Sequence, residues 1–219
     1  MQRNLAESTV MEERAAAIAH EVKNPLTMVG LNLDILEASD KRLGADKNYA
    51  MIRKELRKIS ELMIDFIYLS SNQQKERGQV VIKNLLGEII EDFSVSLPNI
   101  ALDITYPSVE FILRANESDL RTLFGNIVKN AAEAMEYCGK IQIEVSARER
   151  HVNISFKDNG PGLCEAAQSK IFKEHFTTKP MGSGLGLSIC QKIAQEHGGS
   201  FTLENLREGG CLAVVKLAL

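Results

Sequence analysis

Between Tyr49 and Phe66 the apolar residues Tyr49, Ile52, Leu56, Ile59, Met63 and Phe66 recur at alternating steps of three and four. That spacing is the a/d seam of a coiled coil, and it excludes the two-residue period of a strand. Leu62 and Leu69 widen the stripe. Leu5 to Leu36 is rich in Ala, Leu, Glu and Arg and reads as one earlier helix, ending near Ala38. Ser39 to Asp46, with Asp40 and Gly44, reads as the turn between the two, and the second helix runs from Asn48 to about Ser70. A helical hairpin alone buries too little. Two hairpins side by side make a four-helix bundle, so the pattern predicts a homodimer through this part.

After the hairpin the period changes. Ser71 to Gln79 is polar, with Gly78 near its end, and is the candidate interdomain linker. It divides the chain into residues 1–76 and 77–219. In the second part Val80 to Ile82 reads as a short strand, and Asn84 as the cap of a helix running to about Ser96. Ile100 to Tyr106 and Phe111 to Leu113 read as strands. Glu117 to Glu136 reads as a helix with Leu120, Leu123, Ile127, Ala131 and Ala134 on one side. Lys140 to Ala147 and Val152 to Lys157 alternate with period two and form a hairpin. Gly162 to Gly184 is long, polar and irregular, and loops of that length commonly carry function. Leu185 to His197 is a helix ended by Gly198 and Gly199, and Ser200 to Glu204 and Cys211 to Leu217 close the chain as strands. The fold class is therefore α+β multidomain: a helical hairpin, then an α/β sandwich on a mixed, mostly antiparallel sheet.

Composition removes several functions. Twenty-six basic and 29 acidic residues give a net charge of -3, and the basic ones are scattered, so no nucleic-acid footprint is present. Cys138, Cys164, Cys190 and Cys211 lack metal-ligand spacing and suit a reducing cytoplasm. No apolar run is long enough to span a membrane and no signal peptide is visible, so we expect no membrane contact from this segment. Because Met1 opens almost directly into helix, we expect a piece of a longer protein.

Four stretches carry chemistry. His20-Glu21-Val22-Lys23-Asn24-Pro25-Leu26-Thr27 follows an Ala-rich turn on the first helix. His20 and Asn24 share one face, Glu21 is turned about 100° away, and Pro25 is expected to bend the helix. A lone helical His is ordinarily a polar surface residue, so the rest of the chain decides its meaning. Asn126 and Asn130 are an i,i+4 pair in mid-helix, where propensity disfavours them, and Glu133 continues their stripe. An amide oxygen there can ligate Mg²⁺, although taken alone the stripe is better explained as a solvated helix face. Asp158-Asn159-Gly160-Pro161-Gly162 suits an ordinary turn, or a carboxylate that accepts from an exocyclic amine such as adenine's, with glycines letting the ligand approach. Gly182-Ser183-Gly184-Leu185-Gly186-Leu187 opens a helix, whose bare amides bind phosphate. It is neither a dinucleotide fingerprint nor a Walker A loop. Phe172, Phe176, Thr177, Thr178 and Lys179 before it read as a lid, with Lys179 able to meet a phosphate.

In this order the stretches resemble the boxes of the sensor histidine kinases of two-component systems. HEVKNPLT is similar to the H-box, NIVKNAAEA to the N-box, DNGPG to the G1-box, IFKEHFTTK to the F-box and GSGLGLSI to the G2-box. Glu208-Gly209-Gly210-Cys211 resembles the final glycine motif. The resemblance covers essentially the whole chain and implies a dimerisation and phosphotransfer hairpin followed by an ATP-binding domain shared with the Hsp90 and MutL ATPases. It implies His20 as phosphoacceptor, Glu21 as its base, and Asn24 as the residue orienting water when the partner regulator is dephosphorylated. It implies Asn130 as the Mg²⁺ ligand and Asp158 as the adenine reader. Asn126, Glu133, Gly160, Gly162, Thr177, Thr178, Lys179, Gly182, Gly184, Leu185 and Gly186 would complete the ATP contacts. The implied partner is a response regulator receiver domain. Glu174 and His175 stand where the F-box usually has Pro and an aromatic, and Cys211 stands where the family usually has Thr. Competing readings are a scaffold with a dead ATP domain, a stand-alone ATPase of the Hsp90/MutL type, and a structural coiled coil. The glycine boxes with Asn130 and Asp158 oppose the first and third, and the His20 hairpin opposes the second. His175 and His197 are not expected to be catalytic.

Overall fold

The computed structural model describes residues 21–22, 24–70, 76–148, 150–168, 170–171 and 184–219. These fall into two compact units, one of the described residues up to 70 and one of those from 76 onward.

In the first unit, α1 covers residues 24–39, with 21 and 22 also helical, and α2 covers Lys47–Ser70. The expected plain turn is more ordered than its sequence suggests. A 3-10 turn, Lys41–Ala45, follows Asp40, whose side chain accepts from the Arg42 amide at 3.0 Å. Bonds from the Arg42 guanidinium and amide hold the Asp40 carboxyl below its ordinary range. Asp46 accepts from the Tyr49 amide at 2.9 Å and so caps α2. Across the hairpin the Tyr49 hydroxyl donates to the Leu33 carbonyl, and Arg53 pairs with Asp34 and Glu37. Leu56 lies 3.7 Å from where a Cβ on Gly30 would stand. The seam therefore splits. Tyr49 is buried and Leu56 half-buried, whereas Ile52 and Ile59 are exposed, as are Met28, Leu31, Ile35 and Leu36 on α1.

The second unit runs β1 (Gly78–Val81), α3 (Ile82–Ser96), β2 (Ile100–Thr105), β3 (Ile112–Ala115), α4 (Glu117–Ala134), β4 (Gly139–Arg148), β5 (His151–Asp158), α5 (Glu165–Gln168), α6 (Gly186–Glu196), β6 (Ser200–Asn205) and β7 (Cys211–Ala218). Five strands form one sheet in the order β2-β4-β5-β7-β6, with β2 and β4 parallel and the other pairs antiparallel. β1 and β3 form a separate antiparallel pair. Alternate residues of β5 and β7, such as Ile154, Phe156, Val215 and Leu217, are buried as their period requires. They meet the apolar stripes of α4 and α6, and Phe124 of α4 sits 5.9 Å from Phe156 of β5, ring to ring. This is the two-layer α/β sandwich the sequence predicts.

Several boundaries differ, each for a local reason. The expected linker ends early, because Gly78 and Gln79 already pair with Ala115 and Arg114. Asn84 is not a cap. α3 begins at Ile82, directly after β1, and the Ile82 amide is satisfied by the Phe111 carbonyl at 3.0 Å. α4 stops at Ala134 rather than Glu136. Tyr137 N–H bonds the Ala132 carbonyl at 2.8 Å and Glu136 N–H the Glu133 carbonyl at 3.1 Å, closing a Schellman motif with Glu136 at φ 52° and Tyr137 at φ 61°. α6 starts at Gly186, with Leu185 as its cap residue.

Candidate functional site

The sandwich brings three of the four chemical stretches onto α4, α6 and the ends of β5 and β7. Asp158 ends β5 and is 8% exposed. Its Oδ1 accepts from the Gly160 amide at 2.8 Å and the Cys211 amide at 3.2 Å. Two backbone donors fix the carboxylate so that it can face a ligand donor without being free to rotate. Glycines make the approach possible. A Cβ on Gly210 would stand 2.1 Å from the Asp158 carbonyl oxygen, and one on Gly160 2.9 Å from Oδ1. The turn between β6 and β7 can therefore lie against Asp158 only without side chains at that point.

The phosphate side lies where α4 faces α6. Asn126, Asn130 and Glu133 form one half-buried stripe of α4. Gly186 opens α6 opposite them, its Cβ position 3.7 Å from Asn130 Nδ2 and 4.0 Å from Asn126 Cγ. The Asn126 Nδ2 is buried with no partner among the described residues, a donor left over for an acceptor such as a phosphate oxygen. Gly184, at φ 70°, turns the chain into the helix N-terminus. The Leu185 side chain is buried in the core, so only its backbone is available to a ligand. Asn126 to Ala134 spans about 12 Å along α4. At the far end Met135 Cγ lies 3.2 Å from the Gly160 Cβ position, so α4 joins the amide stripe to the Asp158 loop.

These groups fit a nucleotide: a held carboxylate with glycine access at one end, and an unmatched amide beside a helix N-terminus at the other. Among the described residues no cluster of three His, Cys, Asp or Glu exists to hold a metal. A magnesium ion here would take one amide oxygen, from Asn130, and complete its shell from phosphate and water. His20, Thr177, Thr178, Lys179 and Gly182 lie outside the described residues. Glu21 and Asn24 are described and exposed on the hairpin. His197 is not part of the site. It is buried at the end of α6, where Nε2 accepts from the Asn116 amide at 3.1 Å and Nδ1 meets the Ile193 carbonyl at 2.8 Å.

Comparison with known proteins agrees with this geometry. Residues 115–219 match the family described as Histidine kinase-, DNA gyrase B-, and HSP90-like ATPase. Two solved forms of the catalytic domain of histidine kinase ThkA are 31% and 33% identical to the chain, with TM-scores of 0.61 and 0.60, and 96% and 98% of their lengths are covered. The chain belongs to the sensor histidine kinases. Each ThkA domain covers 66% of this kinase chain. The complex of ThkA with the response regulator protein TrrA covers 99% of this chain and 63% of its own, at 28% identity and TM-score 0.68. Sporulation kinase C of Bacillus subtilis is 31% identical over 96% of this kinase chain and 50% of its own. The chain spans between 27% and 50% of the length of the four sporulation kinases it resembles. Residues 115–219 thus belong to an ATP-binding kinase domain.

Some contacts of the site carry no signal in the sequence of this kinase. Asn159 Oδ1 accepts from the Lys140 amide at 2.8 Å and ties the Asp158 loop to the start of β4. Cys211, which stands where the family usually has Thr, gives its backbone amide to Asp158. Burial, then the Asp158 carboxylate, push its thiol up to about 11. Met135 and Asn205 lie outside the motif residues that carry the resemblance. Only a helix end predicted to stop at Ala134 could have pointed to Met135.

Proposed function

We propose that the chain is the catalytic core of a two-component histidine autokinase. Residues 1–76 form the dimerisation and phosphotransfer domain carrying His20, and residues 77–219 form the ATP-binding domain. ATP is the phosphoryl donor. Asp158 reads the adenine amine, Gly160 and Gly162 admit the base, and Asn126, Glu133, Gly184, Gly186 and the Leu185 backbone line the phosphates. Thr177, Thr178, Lys179 and Gly182 complete the ATP contacts. Asn130 holds Mg²⁺, which neutralises phosphate charge when bound.

A neutral imidazole at His20 attacks the γ-phosphorus while the bond to the ADP oxygen breaks, and Glu21 takes the imidazole proton. The phosphoryl group then moves to an aspartate of a response regulator receiver domain, and the solved complex of a 28% identical relative with its regulator supports that partner. Asn24, exposed one turn from His20, orients water for the reverse hydrolysis at the regulator. The exposed apolar residues of α1 and α2 support a homodimer, and the cytoplasm is the compartment of this segment. No helix among the described residues is long and apolar enough to cross a membrane.

The single observation behind this reading is the pairing, in one domain, of the amide-held Asp158 with the unmatched Asn126 amide beside the α6 N-terminus. Incubation with radiolabelled ATP and Mg²⁺ tests it. The native chain is expected to take up acid-labile, alkali-stable label, and His20→Gln none. Label that persists in His20→Gln disproves the phosphoacceptor. Asn24→Ala is expected to keep autophosphorylation and lose regulator dephosphorylation.

A further inference from the structure

We infer that Asn205 is a positioning residue for ATP: its side-chain amide clamps the loop that carries Gly160 and Gly162 onto the β6–β7 hairpin. Asn205 ends β6, 42 residues from the loop it grips. Its Oδ1 accepts from the Leu163 amide at 2.6 Å, and its Nδ2 donates to the Leu163 carbonyl at 2.7 Å. Both polar groups of one backbone residue are thus held by one side chain, in the manner of a strand neighbour, although residues 159–164 form no strand.

The same oxygen governs the glycine beside it. Gly162 has φ 79°, and a Cβ there would stand 3.1 Å from Asn205 Oδ1. The Cys211 thiol also donates to this oxygen, at 3.6 Å, and its raised titration keeps it a protonated donor. The Cys211 backbone amide bonds Asp158 Oδ1, which the Gly160 amide bonds too. A closed circuit results: Asn205 holds Leu163 at one end of the loop and, through Cys211, Asp158 at the other.

The hairpin has no need of this side chain for its own turn. Asn205 pairs with Cys211 in the ladder, and the Leu206 amide closes the turn on the Gly210 carbonyl at 2.9 Å. The clamp faces outward from the hairpin to the ligand loop. A polar residue that only capped its own strand would not reach 42 residues back. The inference rests on reading this loop as an ATP contact.

The test compares the whole chain with Asn205→Ala, Asn205→Asp and Thr202→Ala, an exposed change on the same strand. ATP affinity is measured by calorimetry, and autophosphorylation as KM and as rate at saturation. Asn205→Asp keeps size and an acceptor for the Leu163 amide but opposes an oxygen to the Leu163 carbonyl. Losing one or both clamp bonds is expected to weaken ATP about tenfold in both variants, with KM rising in step. The rate at saturating ATP and the properties of Thr202→Ala stay at native values. Native affinity in both Asn205 variants, or a lowered saturated rate with unchanged KM, overturns the positioning role. A native chain that binds no ATP overturns the nucleotide site itself, and the inference with it.

Discussion

Phe156 in the sandwich and Ile52 in the hairpin both lie on the apolar side of an amphipathic element, yet the first is 2% exposed and the second 53%. The pattern holds across both units. Of the fifteen large apolar side chains exposed among the described residues, ten lie between Val22 and Leu62, and among the hairpin residues whose burial is described Tyr49 is the one buried apolar side chain. A sheet offers a whole face, and the sandwich covers it with its own α3, α4 and α6. A helix in a two-helix hairpin has one neighbour, which covers about half of its stripe. The hairpin is held instead by polar contacts, Tyr49 to Leu33 and Arg53 to Asp34 and Glu37. The described sandwich covers its own apolar faces, whereas the described hairpin leaves part of its stripe exposed, which is the basis of the proposed dimer.

The largest effect that can break this comparison is in the sandwich. Phe156→Ala removes a ring packed on Phe124 and is expected to cost about 3–5 kcal/mol in urea unfolding. A loss below 1 kcal/mol would show that the layers are not close-packed there. Next comes the hairpin. Ile52→Glu with Ile59→Glu is expected to raise the dimer dissociation constant by roughly a hundredfold, about 3 kcal/mol, while ATP affinity in the other unit stays native. Sedimentation that shows an unchanged dimer would mean that another surface makes it.

Smaller changes sharpen the same contrast. Tyr49→Phe keeps the packing and removes the bond to Leu33, and the hairpin is expected to lose about 1 kcal/mol. Glu136→Gly is expected to stabilise the sandwich by about 0.5–1 kcal/mol, because Glu136 holds a left-handed conformation that glycine adopts freely. Unchanged or lowered stability would place the Glu136 side chain among the contacts of the site. The last effect is a pH dependence. The Cys211 thiol rises from 9.0 to about 11 on folding, so its contribution is present below pH 9 and is lost as pH climbs toward 11. Cys211→Ser should flatten that alkaline loss, and an identical pH profile in the variant would disprove the shift.

Much of this was legible without coordinates because it is local. The two-residue alternation of Val152 to Lys157 and the stripe from Leu120 to Ala131 each name an element whose neighbours must be apolar. The glycine boxes named the loops that approach a ligand. The start of α3 was not legible, because its first amide bonds Phe111, a residue 29 positions away whose partnership no local pattern encodes. The end of α4 was missed because two non-glycine residues adopt the left-handed conformation there, against their own preference.

The sequence by itself determined the period of every long element, the division into a helical and an alternating part, and the positions of Asp158, Asn126 and Asn130. Those depend on spacing along the chain, which is one-dimensional. Only the tertiary structure decided that Asn205 grips Leu163, that Cys211 serves Asp158, and that Gly186 faces Asn126 and Asn130. These contacts join residues tens of positions apart. They exist because the strand order β4-β5-β7-β6 brings the ends of β5, β6 and β7 together and α6 packs against α4.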